Sequence, residues 1–270
     1  MISFPNAKIN LGLHITAKRK DGYHDIETCM IPIPLFDALE MIIDNKKTTF
    51  ESSGLNIPGD KKDNLILKAY QLLKKDFPNL PHLSIHLHKN IPMGAGLGGG
   101  SADAAFALTL MNNLFDLILD EFFLEEYAAQ LGSDCAFFIE NTPKIATGRG
   151  EILEPIAVNL KGNHLVLINP GIHIGTKEAY AGVTPSAPKV KLGEVLADKR
   201  RWKDELVNDF EASIFPNHPE IARVKDKLYE NGAYYAAMSG SGSSVFGLFE
   251  EKPTQIDWDN KFFVFESQLV

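Results

Sequence analysis

Between Pro92 and Ala102 the chain reads "PMGAGLGGGSA", with Gly94, Gly96, Gly98, Gly99 and Gly100 inside seven residues. Glycine loses more conformational freedom on folding than any other residue, so such a run implies a sharp turn or a close backbone approach. Just before it, "HLSIHLHKN" alternates Leu83, Ile85 and Leu87 with Ser84, His86 and His88, the pattern of a half-buried strand. A helical pattern near 101–113 follows. Strand, glycine loop and helix start in that order suit an anion, because several N–H groups turn toward one phosphate and the helix start adds partial positive charge. A flexible linker is the alternative reading. Linkers are usually bounded by polar residues, whereas Pro92, Met93 and Leu97 are apolar. Neither common phosphate fingerprint fits. A P-loop needs a lysine that is missing before Ser101, and the GxGxxG read from Gly94, Gly96 and Gly99 lacks an acidic residue about twenty positions on. Ser101 is a helix cap, a metal ligand or both, with capping the plainer expectation.

Other polar residues carry a bland reading beside a chemical one. Lys8 interrupts the apolar strand pattern "AKINLGL", where a solvated surface lysine is the ordinary expectation. Asn10, two residues on, shares its strand face and can bond either a ligand oxygen or neighbouring backbone. Asp134 follows Gly132-Ser133 ahead of "CAFFI", the place of a helix cap. Tyr23 and His24 follow the turn signal Asp21-Gly22 and are presented on a loop. Lys89 reads as a solvated strand-end lysine and Asn64 as a cap. His82, His86 and His88 alternate along a strand without metal-ligand spacing, so solvent exposure is expected for them. A second cluster, Ser239 to Ser244, is a tight strand–strand turn or a loop reaching a ligand.

The elements that position these residues are mixed. Strands are expected over 2–16, 26–43, 82–90 and 164–170, with a shorter one over 48–54. A strand pair around 144–156 turns at "TGRGE", and "AYYAAMS" and "KFFVF" supply later strands. Helices are expected in "DNLILKAYQLLKKDF", near 101–113, over about 121–131, and from Pro219 to the Asn231-Gly232 stop. The charged, weakly patterned stretch 187–202 reads as a surface segment. Strands and helices without strict alternation indicate an α+β fold. With 270 residues and 44% hydrophobic content the chain can build one large core or two smaller ones. A net charge of −8 argues against nucleic acid as a partner but leaves room for a locally positive cleft. Cys29 and Cys135 are expected to be free buried thiols. The first residues lack the basic and apolar regions of a signal peptide, and no apolar run is long enough to span a membrane. A cytoplasmic protein with no membrane partner is expected.

Several segments together resemble the GHMP kinase superfamily. "PMGAGLGGGSADAA" is similar to its second motif, P-x-x-x-G-L-G, and "NAKINLGLHITAKRKDGYHDIET" to a first motif A-K-x-N-L-x-L followed by D-G-Y-H. "LGSDCAFFI", "TGRGE" and "SGSGSSVF" resemble further family segments, in order, from about residue 4 to 249. The triple glycine before Ser101 replaces the usual serine pair and matches the branch that phosphorylates 4-diphosphocytidyl-2-C-methyl-D-erythritol on its 2-hydroxyl, in the non-mevalonate isoprenoid pathway. This resemblance implies a two-domain α+β fold, divided at 1–157 and 158–270, with the active site in the inter-domain cleft. It implies Asp134 as proton acceptor, a true general base or chiefly an electrostatic positioner, and Lys8 as stabiliser of negative charge. It assigns ATP phosphates to Pro92, Met93, Gly94, Ala95, Gly96, Leu97, Gly98, Gly99, Gly100, Ser101 and Ala102, with Lys89 and Asn64 near the nucleoside. It assigns the cytidine substrate to Asn10, Tyr23, His24 and Tyr180. ATP is the implied co-substrate and Mg²⁺ the implied ion; the implied partner is a small-molecule cytidine diphosphate, handled by a monomer or weak homodimer. Homoserine-type or mevalonate-type kinases and a non-catalytic nucleotide-binding homologue are the alternatives.

Overall fold

The computed structural model describes residues 1–44 and 46–269. In chain order the strands are β1 (Ile2–Ser3), β2 (Asn6–Lys18), β3 (His24–Phe36), β4 (Ala38–Asp44), β5 (Thr49–Gly54) and β6 (His82–Lys89). They continue with β7 (Lys144–Gly148), β8 (Ile152–Pro155), β9 (His164–Asn169), β10 (Tyr235–Met238), β11 (Val245–Phe249) and β12 (Phe263–Gln268). The helices are α1 (Leu65–Asp76), α2 (Gly99–Leu114), α3 (Glu121–Leu131), α4 (Phe137–Glu140) and α5 (Thr176–Ala181). After them come α6 (Leu192–Leu196), α7 (Trp202–Glu205), α8 (Asp209–Ile214) and α9 (Pro219–Glu230). The fold is α+β, as the unalternated pattern indicated. The chain gathers into two compact units.

The first unit takes in residues 1–7, 35–93 and 98–142. Its sheet runs β1-β4-β6-β5, antiparallel except for the parallel β5–β6 pair. β6 buries Leu83, Ile85 and Leu87 and turns Ser84 and His88 outward, the half-buried strand that its alternation specified. α1 packs Ile66, Ala69, Tyr70 and Leu73 on one side, an i, i+3, i+4, i+7 spacing that makes a single helical stripe. α2 is buried on most sides, and its alanines at 102, 104, 105 and 107 let neighbouring helices come close. The strand expected over 26–43 is broken at Asp37. That carboxylate is buried and accepts from the amides of Asn90 at 2.6 Å and Ile91 at 2.9 Å, a demand no strand interior could meet.

The second unit takes in residues 8–34, 94–97 and 143–270. One of its sheets has the order β2-β3-β7-β8 and the other β10-β11-β9-β12. β9 lies between β11 and β12 with Leu165 to Ile168 buried, which explains its uninterrupted apolar run. α9 starts with Pro219 in its first turn and stops at Asn231, followed by Gly232 at φ 93°, as its punctuation indicated. The stretch 187–202 is not a surface segment throughout. Short helices place Leu192, Val195, Leu196 and Trp202 inside, and the charged residues between them hid that pattern at the sequence level.

Trp202 is fully buried and its indole N–H donates to the Val195 carbonyl at 3.2 Å. Trp202→Ala is expected to cost about 3–5 kcal/mol, read from the urea unfolding midpoint. A cost below about 1 kcal/mol would show that the segment around it is not a part of the core.

Candidate active site

β2 is buried along most of its length, so a lysine within it cannot keep its water. Lys8 is only 3% exposed, and its ammonium donates to Asn10 Oδ1 at 2.6 Å and to the Gly96 carbonyl at 3.0 Å. The solvated-lysine alternative is therefore wrong, because both faces of the strand are packed. Asn10 stands two residues on, on the same face. Its amide nitrogen donates to Thr28 Oγ1 at 3.0 Å, and the Thr28 hydroxyl donates to the Gly12 carbonyl at 2.5 Å. The glycine loop is tied to the same strand, since the Lys8 backbone N–H donates to the Leu97 carbonyl at 2.9 Å. Gly96 has φ 77°, and a Cβ there would lie 1.8 Å from the Ser239 carbonyl oxygen. Only glycine fits that close approach.

The C-terminal end of the loop opens α2 in the first unit. Gly98 takes the capping position with φ 68°, and no side chain caps the helix. Ser101 therefore does not cap, contrary to the sequence expectation. The helix begins two residues earlier than its pattern suggested, which puts Ser101 inside the first turn, where its side chain bonds the Cys135 thiol. The first-turn N–H groups carry the positive end of the helix dipole, the arrangement that receives phosphate oxygens.

Beside this helix start lies a cavity of about 280 Å³, lined by Phe50, Asn64, Leu65, Met93, Gly100 and Asp103 among others. Asn64 caps α1, its side-chain oxygen accepting from Ile66 at 2.9 Å and Leu67 at 3.4 Å. It is both cap and cavity wall. Lys89 is not a solvated strand-end lysine. Its ammonium is fully buried between Asp37 at 2.5 Å and Asp103 at 2.6 Å. Two carboxylates share that one cation. Burial pushes the Asp103 carboxyl up to about 7, with the Asp37 charge adding to the rise and Lys89 opposing it. Asp103 Oδ1 has no hydrogen-bond partner among the described residues. Sequence reading passed over Asp37 and Asp103. The one available signal was an aspartate set among small apolar residues in "SADAAFAL".

Asp134 lies in the turn between α3 and α4 and is half-buried. It is not a cap: α4 starts after Ala136 and has no side-chain cap bond. In the second unit Gly22, at φ 88°, turns the chain so that Tyr23 is 59% exposed. The Arg149 guanidinium lies 5.3 Å from the centre of the Tyr23 ring. His24 stacks on Tyr180 with ring centres 4.7 Å apart and planes 18° apart, so Tyr180 spends one face on His24. His82 bonds the Thr48 hydroxyl, while His86 and His88 both reach the Ser53 hydroxyl. Among the described residues no three His, Cys, Asp or Glu side chains are grouped to hold a metal ion. Cys29 and Cys135 are free and buried, and burial pushes both thiols up to about 12. No described helix is long and apolar enough to cross a membrane.

An uncapped helix start behind a glycine loop, with a buried lysine bonded to that loop, is the equipment of a phosphate-handling enzyme. The models for the GHMP kinases N terminal domain and GHMP kinases C terminal match residues 64–141 and 195–256. The chain belongs to the GHMP kinases. A relative from Cytophaga hutchinsonii, named 4-diphosphocytidyl-2-C-methyl-D-erythritol kinase, is 56% identical over 94% of both chains. One of the same name from Bacteroides fragilis is 53% identical over the whole of both. A crystal structure of 4-(cytidine 5'-diphospho)-2C-methyl-D-erythritol kinase superposes with a TM-score of 0.79 at 32% identity, over 92% of this chain and 90% of that one.

The buried Asp103 leaves a mark on stability. Its carboxyl is raised from an ordinary 3.8 to about 7, so between those values the folded state holds a proton that the unfolded state has released. Its contribution is complete below about pH 4 and is lost as pH rises toward 7. In Asp103→Asn the fall of stability across that window should shrink by up to one proton's worth of slope. Urea unfolding at several pH values measures it, and an unchanged slope would contradict a raised Asp103.

Proposed function

We infer that this chain is an ATP-dependent kinase that phosphorylates the 2-hydroxyl of 4-diphosphocytidyl-2-C-methyl-D-erythritol, a step of the non-mevalonate route to isoprenoid precursors. The observation that carries this reading is the 53% identity, across the whole of both chains, with the Bacteroides fragilis kinase of that name. The enzyme works on a small-molecule cytidine diphosphate in the cytoplasm, as a monomer or weak homodimer.

Phosphoryl transfer needs positioning and neutralisation of phosphate charge more than covalent help from the protein. The residues from Pro92 to Ala102 supply the first part: the loop wraps the ATP phosphates and the N–H groups at the start of α2 face them. The cavity beside α2 takes the nucleoside, with Asn64 in its wall and Lys89 held rigid next to it. Lys8 supplies a fixed positive charge to the reacting hydroxyl and the transferring phosphoryl group. Asp134 accepts the hydroxyl proton as the new O–P bond forms and the bond to the ADP oxygen breaks. Asn10 holds the Lys8 ammonium through its oxygen. Tyr23 offers an open ring for the cytosine, His24 reads the pyrimidine edge and Tyr180 supports His24. An uncapped helix start fits a metal carried on phosphate oxygens rather than in a protein cage, so Mg²⁺ would be held there with Ser101 as the nearest side-chain oxygen on that turn, and would supply charge neutralisation.

Purified enzyme should consume ATP with the diphosphocytidyl substrate and not with homoserine or mevalonate. Activity confined to either of those would overturn the substrate assignment, and nucleotide binding without any turnover would favour the non-catalytic homologue. Asp134→Asn and Lys8→Ala are each expected to lower kcat by about 100-fold or more with nucleotide binding retained; near-normal turnover in either removes that residue from the mechanism. Tyr23→Ala should raise KM for the cytidine substrate by about tenfold, since stacking on a base is worth about 1–3 kcal/mol. The KM for ATP should not move; if both rise together, Tyr23 is not a base platform.

A further inference from the structure

Inside the second unit the segment from Ser239 to Ser244 meets the first glycine loop at the atoms that hold Lys8. The Ser239 hydroxyl lies 2.9 Å from the Gly96 carbonyl oxygen and 3.4 Å from Asn10 Oδ1. The Lys8 ammonium lies 3.0 Å and 2.6 Å from the same two oxygens. Ammonium and hydroxyl therefore straddle one pair of acceptors and close a four-membered ring of polar atoms. One hydroxyl carries one proton, and the shorter distance favours the Gly96 carbonyl as its main acceptor.

Ser239 has little freedom to be anywhere else. It is fully buried, its N–H donates to the Ser244 carbonyl at 2.9 Å, and its own carbonyl accepts from Gly242 at 3.0 Å. On either side, the Asn208 amide donates to the carbonyls of Met238 at 2.7 Å and Gly240 at 2.8 Å. The Ser244 N–H donates to the Ala95 carbonyl at 3.2 Å, one residue before Gly96. The backbone is held on both sides of the hydroxyl by Asn208, and on its C-terminal side it is tied to the glycine loop through Ser244. A turn that served only to join β10 to β11 would not need a buried hydroxyl on the acceptors of a lysine.

We propose that Ser239 is a positioning residue for phosphoryl transfer: by holding the Gly96 carbonyl, with the Asn10 side-chain oxygen beside it, its hydroxyl fixes where Lys8 presents its charge. The inference rests on the reading of Lys8 given above and extends it to the C-terminal glycine–serine segment. Without the hydroxyl, Lys8 keeps both acceptors, but the Gly96 carbonyl loses one of the bonds that fix its position. Transfer geometry suffers while substrate and nucleotide binding do not.

The test is a kinetic double-mutant cycle on the whole chain, with turnover of the diphosphocytidyl substrate measured at high enzyme concentration so that slow variants are readable. Ser239→Ala should lower kcat by about tenfold with both KM values within about twofold of the parent and an unchanged melting temperature. In the Lys8→Ala background the same substitution should cost no further rate, because the hydroxyl acts through the ammonium. An equal loss in both backgrounds, or a loss confined to KM or thermal stability, would make Ser239 merely structural and overturn the proposal. Unchanged kcat in the single variant would overturn it as well. If Lys8→Ala itself turns over normally, the assignment of Lys8 falls first, and that result is visible before the cycle is completed.

Discussion

A charged lysine packed inside a β-strand is the constraint around which the second unit is arranged. Removing an ammonium from water costs several kcal/mol unless fixed oxygens replace the solvent. Here they include a side-chain amide on the same strand and a backbone carbonyl of the glycine loop. The requirement propagates outward. Asn10 must point its oxygen at the lysine, so its nitrogen needs an acceptor, and Thr28 on β3 provides one. The Gly96 carbonyl must face β2, so the loop turns through positive φ and approaches another backbone more closely than any side chain would allow. Electrostatics thus fixes the loop, and the loop's glycines are the consequence.

The first unit solves a related problem in a different way. Lys89 is buried as completely as Lys8 but is surrounded by full negative charges, Asp37 and Asp103. Burial away from water is what chiefly drives the Asp103 carboxyl toward its protonated form; the Asp37 charge adds to that rise and Lys89 opposes it. Asp37 also receives two backbone N–H groups and so shapes the chain just before the glycine loop. The Lys89 ammonium, held between two carboxylates, ties β6, the Asp37 turn and α2 together beside the cavity wall.

Much of this arrangement was legible in the residues. The strand–glycine–helix order at 82–114 is present as read, and the motif order from Lys8 to Ser244 announced the kinase family. Alternation in β6 gave its inward face correctly, because burial on one side writes a period into the sequence. Where burial was on all sides, or where charged residues alternated with single buried ones, the period vanished. Residues 187–202 were misread for the second reason, since Trp202 and Leu196 sit among arginines and lysines that point outward. The solvated-surface reading of Lys8 and Lys89 fails because the expectation for a lysine is set by its type, while its actual environment is set by residues far away in the chain.

The sequence by itself determined most strands and the longer helices, the α+β class, the location of the glycine loops and the family to which the chain belongs. These are encoded in local composition and in order along the chain. Only the tertiary structure decided that Lys8 is buried, that Ser239 shares its acceptors across more than two hundred positions, and that Ser101 lies inside its helix rather than capping it. Those facts depend on which oxygen meets which nitrogen to within a few tenths of an ångström. Such distances come from the packing of distant segments, and no run of neighbouring residues contains them.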